Sequence, residues 1–173
     1  MNIQHSSRTD QWGTPPYIIE AVRKVLGTID LDPASSAKWN QTVGATRFLT
    51  EGLESWGSTA PQNVYLNPPG GKQGNKSLAG LFWQRLMAER DAGLVNHAVF
   101  MAFSAEALQN TQGKGCLPIM VFPFCVPSKR LHFVSDSGKK DAPSHSNVIV
   151  YVPGVIDCTE LFRDVFSPIG CVR

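Results

Sequence analysis

Apolar residues along this chain fall into short runs divided by glycine, proline and polar text, and the runs alternate between helical and strand spacing. From Thr14 to Leu26, the residues Ile19, Val22, Val25 and Leu26 recur on one face, which predicts an amphipathic helix. Thr14 is an N-cap type, Pro15 suits the first helical position, and Gly27 supplies the stop. The text from Thr28 reads as a short strand ending at Asp32-Pro33. Residues 35–56 are mixed, with Phe48-Leu49 in a second short strand. Asn63 to Asn67 is an apolar run halted by Pro68-Pro69, a buried strand with a rigid exit. A loop from Gly70 to Lys76 then opens a helix from Leu78 to Asp91, capped by Ser77. Leu78, Leu81, Phe82, Leu86 and either Ala79 or Met87 form its core face.

The second half continues the alternation. His97 to Phe103 lacks polar alternation, as a strand covered on both faces should. Ser104 caps a short helix, Ala105 to Thr111, and Leu117 to Phe124 reads as another apolar strand. Leu131–Val134 and Val148–Val152 flank a polar loop and read as an antiparallel hairpin. Asp157 and Glu160 give a capping box for a last helix, up to Phe166. This pattern predicts an α/β fold: a mostly parallel, doubly wound, Rossmann-like sheet with an antiparallel C-terminal hairpin. A length of 173 residues suits a single domain, 1–173.

Composition narrows the function classes. Hydrophobic residues are 42% and charged residues 17%, which excludes a disordered chain. Sixteen basic against 14 acidic residues, net +2, argues against a strongly basic nucleic-acid wrapper but leaves room for a local basic patch. Cys116, Cys125, Cys158 and Cys171 show neither C-x-x-C spacing nor a histidine pair at zinc-finger distance. Reduced, mostly buried thiols in a cytoplasmic protein without metal are therefore expected. The first 13 residues lack the apolar core of a signal peptide, and no run reaches the ~18 residues of a membrane helix. No membrane partner is expected.

In open sheets, ligands bind past the carboxyl ends of the strands. Two strand ends carry unusual polar text, Asp32-Pro33-Ala34-Ser35 and Asn67-Pro68-Pro69-Gly70. Consecutive prolines hold the chain extended and leave their carbonyls free as acceptors beside the Asn67 side chain. Two acceptors aimed at one point suit an exocyclic amine. They keep its nitrogen nucleophilic without a strong base, since the proton can leave after attack on an activated methyl group. The same tripeptide also reads as nothing more than a sharp strand exit.

Five motifs in order resemble a family: Asp10-Gln11-Trp12-Gly13-Thr14-Pro15, Leu31-Asp32-Pro33-Ala34-Ser35, Asn40, Gly52-Leu53 with Trp56, and Asn67-Pro68-Pro69. The C-terminal text adds Lys129-Arg130-Leu131-His132-Phe133, Ala142-Pro143-Ser144 and Val148-Ile149-Val150. Over roughly residues 10–152 the chain thus resembles the phage-type DNA N-6-adenine methyltransferases. The resemblance implies a class I methyltransferase-like fold, S-adenosylmethionine as cofactor and DNA as partner, within a bacterial host cytoplasm. It places Trp12, Thr14 and Pro15 in the segment that helps hold the cofactor. It sets Asp32, Pro33 and Ala34 against the cofactor's methionine part, with Asn67 close by. Asn67, Pro68, Pro69 and position 70 form the catalytic segment that grips the target amine. The family carries an aromatic residue at that last position, stacked on the flipped base; this chain has Gly70. Tyr65, Phe82 and Trp83 are the rings that could replace it.

Lys72 and Lys76 can contact phosphates, and Lys129, Arg130, Lys139 and Lys140 can form a second DNA-contact stripe; each group also reads as a solvated turn. No stretch is left for a separate target-recognition domain, so low sequence specificity is expected. Two other readings remain open. A catalytically weak or inactive methyltransferase fold could serve as a DNA-binding or anti-restriction protein. Gly70 to Ser77 also approaches a phosphate loop, which would suit a nucleotide hydrolase, but Asn75 stands where the motif requires glycine.

Overall fold

A computed structural model describes residues 12–102, 104–134, 140–141 and 146–173. Helix α1 (Pro16–Leu26) leads to strand β1 (Leu31–Asp32), α2 (Ala37–Val43), β2 (Arg47–Phe48) and β3 (Gln62–Leu66). A small ribbon, β4 (Lys72–Gln73) with β5 (Lys76–Ser77), precedes α3 (Leu78–Asp91) and β6 (Val95–Ala102). Then follow α4 (Glu106–Asn110), a 3-10 turn at Ile119–Val121 and β7 (Phe124–Pro127). A second ribbon pairs β8 (Phe133–Val134) with β9 (Lys140–Asp141). The chain closes through β10 (Val148–Pro153), α5 (Thr159–Phe166) and β11 (Gly170–Val172).

Seven strands form one sheet in the order β11-β7-β10-β6-β3-β1-β2. Strands β2, β1, β3 and β6 are mutually parallel. Strand β10 runs against both its neighbours, and β11 against β7, so five of the seven strands share one direction. Side-chain alternation sends Tyr65, Val99, Met101, Ile149 and Tyr151 to the face covered by α1 and α5. It sends Val64, Leu66, Ala98, Phe100, Val150 and Val152 to the opposite face, under Phe82, Trp83, Leu86 and Met87 of α3. Both faces are covered, which is why β6 and β10 read as unbroken apolar runs. The result is a Rossmann-like α/β sheet with helices on both sides.

Several expectations are corrected. Helix α1 starts at Pro16, with Pro15 at its N-cap, because the Thr14 hydroxyl turns to Tyr65 instead of capping. Within residues 35–56 lies a helix, α2, capped by Ser36, whose Oγ accepts from Trp39 N at 3.4 Å. Gly44 ends it in the left-handed region at φ 60°. The loop at Gly70–Lys76 is a two-stranded ribbon, and Ser77 makes no side-chain cap bond. On α3, Trp83 is fully buried while Leu78 and Leu81 are only half-buried. Leu117–Phe124 is not a strand; Pro118 and Pro123 lack ladder donors, and pairing begins at Phe124. The hairpin of Leu131–Val134 with Val148–Val152 does not form. The long apolar run of β10 is drawn inside the sheet between β6 and β7, and two-residue β8 pairs with β9. At α5, Asp157 accepts from Thr159 N, but Glu160 pairs with Arg163, so no capping box closes. The thiols are free, yet only Cys125 is buried; Cys171 is exposed.

Candidate functional site

Strands β1 and β3 are parallel neighbours, so their polar exits lie side by side at the carboxyl edge of the sheet. After β1 the chain turns on Asp32, whose Oδ1 accepts the Ala34 N–H at 3.1 Å. Gly52 closes on this turn: a Cβ there would lie 2.0 Å from the Pro33 carbonyl oxygen. The Gly52 carbonyl in turn accepts the Trp56 indole N–H at 2.8 Å, and Trp56 is buried. Asn40 bonds Ala45 in both directions, at 3.0 and 2.8 Å, and fixes the exit of α2. The asparagine and G-L…W motifs thus brace the Asp32 turn.

The N-terminal segment arrives from the other side. Gly13 and Val134 exchange two backbone hydrogen bonds, at 2.8 and 3.1 Å. This lays Trp12 and Thr14 over the end of β3. Asn67 Nδ2 donates to the Trp12 carbonyl at 3.1 Å and to Thr14 Oγ1 at 3.2 Å. A carbonyl can only accept, so the amide orientation is fixed by chemistry. Asn67 Oδ1 is left buried with no hydrogen-bond partner. Thr14 Oγ1 also meets Tyr65 Oη at 2.5 Å, and burial holds that phenol far above its usual range.

These groups line an open cleft of about 590 Å³ walled by Trp12, Gly13, Thr14, Asp32, Ala34, Ser35, Trp39, Tyr65, Asn67, Pro69 and Phe82, among others. Ser35 Oγ and Trp39 Nε1, like Asn67 Oδ1, are buried without a hydrogen-bond partner. Each such atom costs about 1–3 kcal/mol unless something satisfies it, and the three residues that carry them all line this cleft. Asp32 is 2% exposed, and burial raises its carboxyl to about 7. The Ala34 N–H, and the Ser35 hydroxyl that sits near without hydrogen-bond geometry, offset part of that rise. Among the described residues no cation pairs with it.

Of the residues picked from sequence, the cleft gathers Trp12, Thr14, Asp32, Ala34, Asn67 and Pro69. Pro15, Pro33 and Pro68 are buried beside it but do not line it. Gly70 lies instead on a second cleft of about 650 Å³, with Gly71, Ser77, Gly80, Phe100, Ser104 and Glu106, and Pro69 is shared by both. A Cβ on Gly70 would meet nothing within 4 Å. Trp83 is a core residue with 0% exposure, whereas Tyr65 (0% exposed) and Phe82 (4% exposed) are buried but reach the first cleft. Lys72 and Lys76 are exposed on the ribbon after β3. Lys129 and Arg130 are exposed just past β7, which shares the direction of β3 and exits at the same edge. Lys139, and the side chain of Lys140, lie outside the described residues. Sequence reasoning missed Ser35 and Trp39 as site residues; the cap type at Ser36 and the stop at Gly44 are the signals that could have revealed the helix carrying Trp39, with Ser35 just before its cap.

Among the described residues no cluster of three or more His, Cys, Asp or Glu side chains could hold a metal, and no helix is long and apolar enough to cross a membrane. No family model, curated protein or solved structure matches the chain.

Proposed function

We propose that the chain is an S-adenosylmethionine-dependent DNA N-6-adenine methyltransferase with a class I methyltransferase-like fold, acting in the cytoplasm of a bacterial host as a phage or prophage protein. The observation that carries this reading is the locked amide of Asn67. Both its N–H groups are spent on Trp12 and Thr14, which fixes the amide, and its oxygen is a buried acceptor with no hydrogen-bond partner at the end of a parallel strand. The residues present fit the cofactor: an anionic side chain for its cationic groups, a tryptophan N–H and a serine hydroxyl for its polar ends, and rings at Trp12, Trp39 and Phe82. When bound, S-adenosylmethionine supplies a methyl group on a positively charged sulfur.

In this reading the chain's own residues do the rest. Asn67 Oδ1, with the carbonyl beside it at Pro68, accepts the two N–H groups of the target amine and holds its lone pair toward the methyl donor. The acceptors are fixed before the substrate arrives, so no reorganisation is needed as charge builds on the amine nitrogen. Asp32 neutralises the cofactor end, and Thr14 transmits the Tyr65 anchor to Asn67. The exposed Lys72, Lys76, Lys129 and Arg130 ring the same edge and suit a phosphate backbone.

One observation favours a second reading, a methyltransferase fold that binds without efficient transfer: position 70 has open space where a stacking ring would stand. The phosphate-loop alternative gains nothing, since the segment from Lys72 to Ser77 that precedes α3 folds as a two-stranded antiparallel ribbon and Asn75 stands where the motif needs glycine. Thermal denaturation with S-adenosylmethionine and with ATP separates the classes. The proposal expects a concentration-dependent rise with S-adenosylmethionine alone. A rise with ATP only would overturn it.

A further inference from the structure

Residues 70–77 hold three glycines, two lysines, two amides and a serine, with no apolar side chain to offer the core. They still form a paired ribbon: Lys72 lies opposite Ser77, and Gln73 opposite Lys76. Gly74 at φ 59° and Asn75 at negative φ make the turn, the glycine-first pattern of a type II′ hairpin. At the root, the Leu78 N–H donates to the Gly71 carbonyl at 3.0 Å and ties the ribbon to the start of α3. Pro68 and Pro69 stiffen the other leg, which leads back to Asn67. The segment has two lysines and no acid, so its net +2 equals that of the whole chain.

Opposed residues of a hairpin share a face, and successive residues alternate. Gln73 and Lys76 therefore stand on one face, Lys72 and Ser77 on the other. Ser77 lines the second cleft, so its face turns to that cleft and the Gln73 face turns away. Lys72, Gln73, Asn75 and Lys76 are all exposed. A ribbon with strands about 4.8 Å apart fits the major groove of duplex DNA, about 12 Å wide, and not the minor groove, about 6 Å wide. From Gly71 to Gly74 it extends roughly 10 Å, enough to reach the floor of a groove about 8.5 Å deep. Glutamine and asparagine amides each pair a donor with an acceptor, the complement of the N7 and N6 edge of adenine. We propose that the β4–β5 ribbon enters the major groove beside the target nucleotide, where the Gln73 and Asn75 amides read adenine edges and Lys72 and Lys76 hold the phosphates alongside. This rests on the DNA-methyltransferase reading and gives it a sequence preference without a separate recognition domain. Gln73 stands six residues after Asn67, at most about 22 Å of chain. The bases read therefore lie within about six base pairs of the target.

The test selects bound duplexes from a library with one fixed adenine flanked by random base pairs, using the wild type, Gln73→Ala and Asn75→Ala. It reads binding and needs no methyl transfer. The wild type should enrich adenine at one or two positions within about six pairs of the fixed base. Each variant should lose about 5- to 150-fold of the preference at one of those positions. The salt slope, set by the lysines, should be the same in all three proteins. Tm should not move, since neither exposed side chain packs on the core. Binding with no enriched position, equal enrichment in both variants, or a loss uniform across sequences would overturn the inference and leave the methyltransferase reading standing. A wild type that binds no duplex would overturn the DNA reading and the inference together.

Discussion

At the scale of single residues, Asp32 carries the clearest pH signature. Burial raises its carboxyl to about 7, from 3.8. The folded chain therefore holds a proton there that the unfolded chain has released, over the window from about pH 4 to 7. Stability contributed by this residue is full below about pH 4, declines as the pH rises through that window, and is flat above it. Asp32→Asn should raise stability at pH 8 by an amount on the order of 2–4 kcal/mol and change little at pH 4, read by denaturant melts. Parallel pH profiles for the two proteins would contradict the assignment. A cationic ligand binds the ionised form, so its affinity should rise from pH 6 to pH 8 in the wild type and stay flat in the variant. Asp32 and Asn67 were legible in the sequence because each ends an apolar run with a proline, and that punctuation survives without any tertiary information. Ser35 and Trp39 were not, because an indole N–H becomes conspicuous only when the fold denies it a partner.

At the scale of elements, the cleft is held by close backbone approaches. Gly52 packs on the Pro33 carbonyl, and Gly13 on the Trp39 ring, and in each a Cβ would sit far inside contact distance. Gly52→Ala meets backbone, which cannot step aside, and should cost about 3 kcal/mol or more. Gly13→Ala meets a ring edge; it should cost less, about 1–3 kcal/mol, and weaken ligand binding by displacing Trp39. Adding Trp39→Ala to Gly13→Ala should recover part of the loss in a double-mutant cycle, and strict additivity would disprove the contact. The sequence announced these glycines only as motif members; their reason is spatial, between segments 19 and 26 positions apart. Element type was easiest to read where helix periodicity was strong, as in α1, or where a buried strand stood between punctuation, as in β3 and β6. It failed at α2, whose seven residues have too few turns to show a period, and at Leu117–Phe124, where hydrophobicity outweighed two prolines. Pairing failed at β10, since a run buried on both faces states that it is central but not whom it joins.

At the scale of the whole molecule, net +2 conceals an arrangement: four exposed basic residues sit past strands that exit at one edge. Replacing Lys72 and Lys76 with glutamine should weaken DNA binding uniformly across sequences. It should also flatten the salt dependence, by about 0.9 in log–log slope for each phosphate left without its lysine on duplex DNA. An unchanged slope would remove the ribbon from the interface. At position 70, open space and a φ outside the left-handed region make Gly70→Tyr compatible with the backbone. Restoring a stacking ring, worth roughly 1–3 kcal/mol per base, should raise kcat/KM on adenine-containing DNA about 5- to 150-fold with little change in Tm. Unchanged or lower activity would mean that a ring already in place, such as Phe82, serves the base. The α/β class with a mostly parallel sheet was legible from alternation alone; the antiparallel partners of Val148–Val152 were not, since they are β6 and β7 and not Leu131–Val134. The chemistry depended on motif order, and the central claim is that Asn67 holds an adenine amine for methyl transfer. The most direct measurement is methyl transfer from labelled S-adenosylmethionine to unmethylated DNA by the wild type and Asn67→Ala, followed by nucleoside analysis. The account predicts label in N6-methyldeoxyadenosine for the wild type and a rate lower by about 10²–10³ for the variant, by analogy with loss of one fixed polar group at a reacting centre. Label absent from every nucleoside, found on another base, or transferred equally by Asn67→Ala would contradict it.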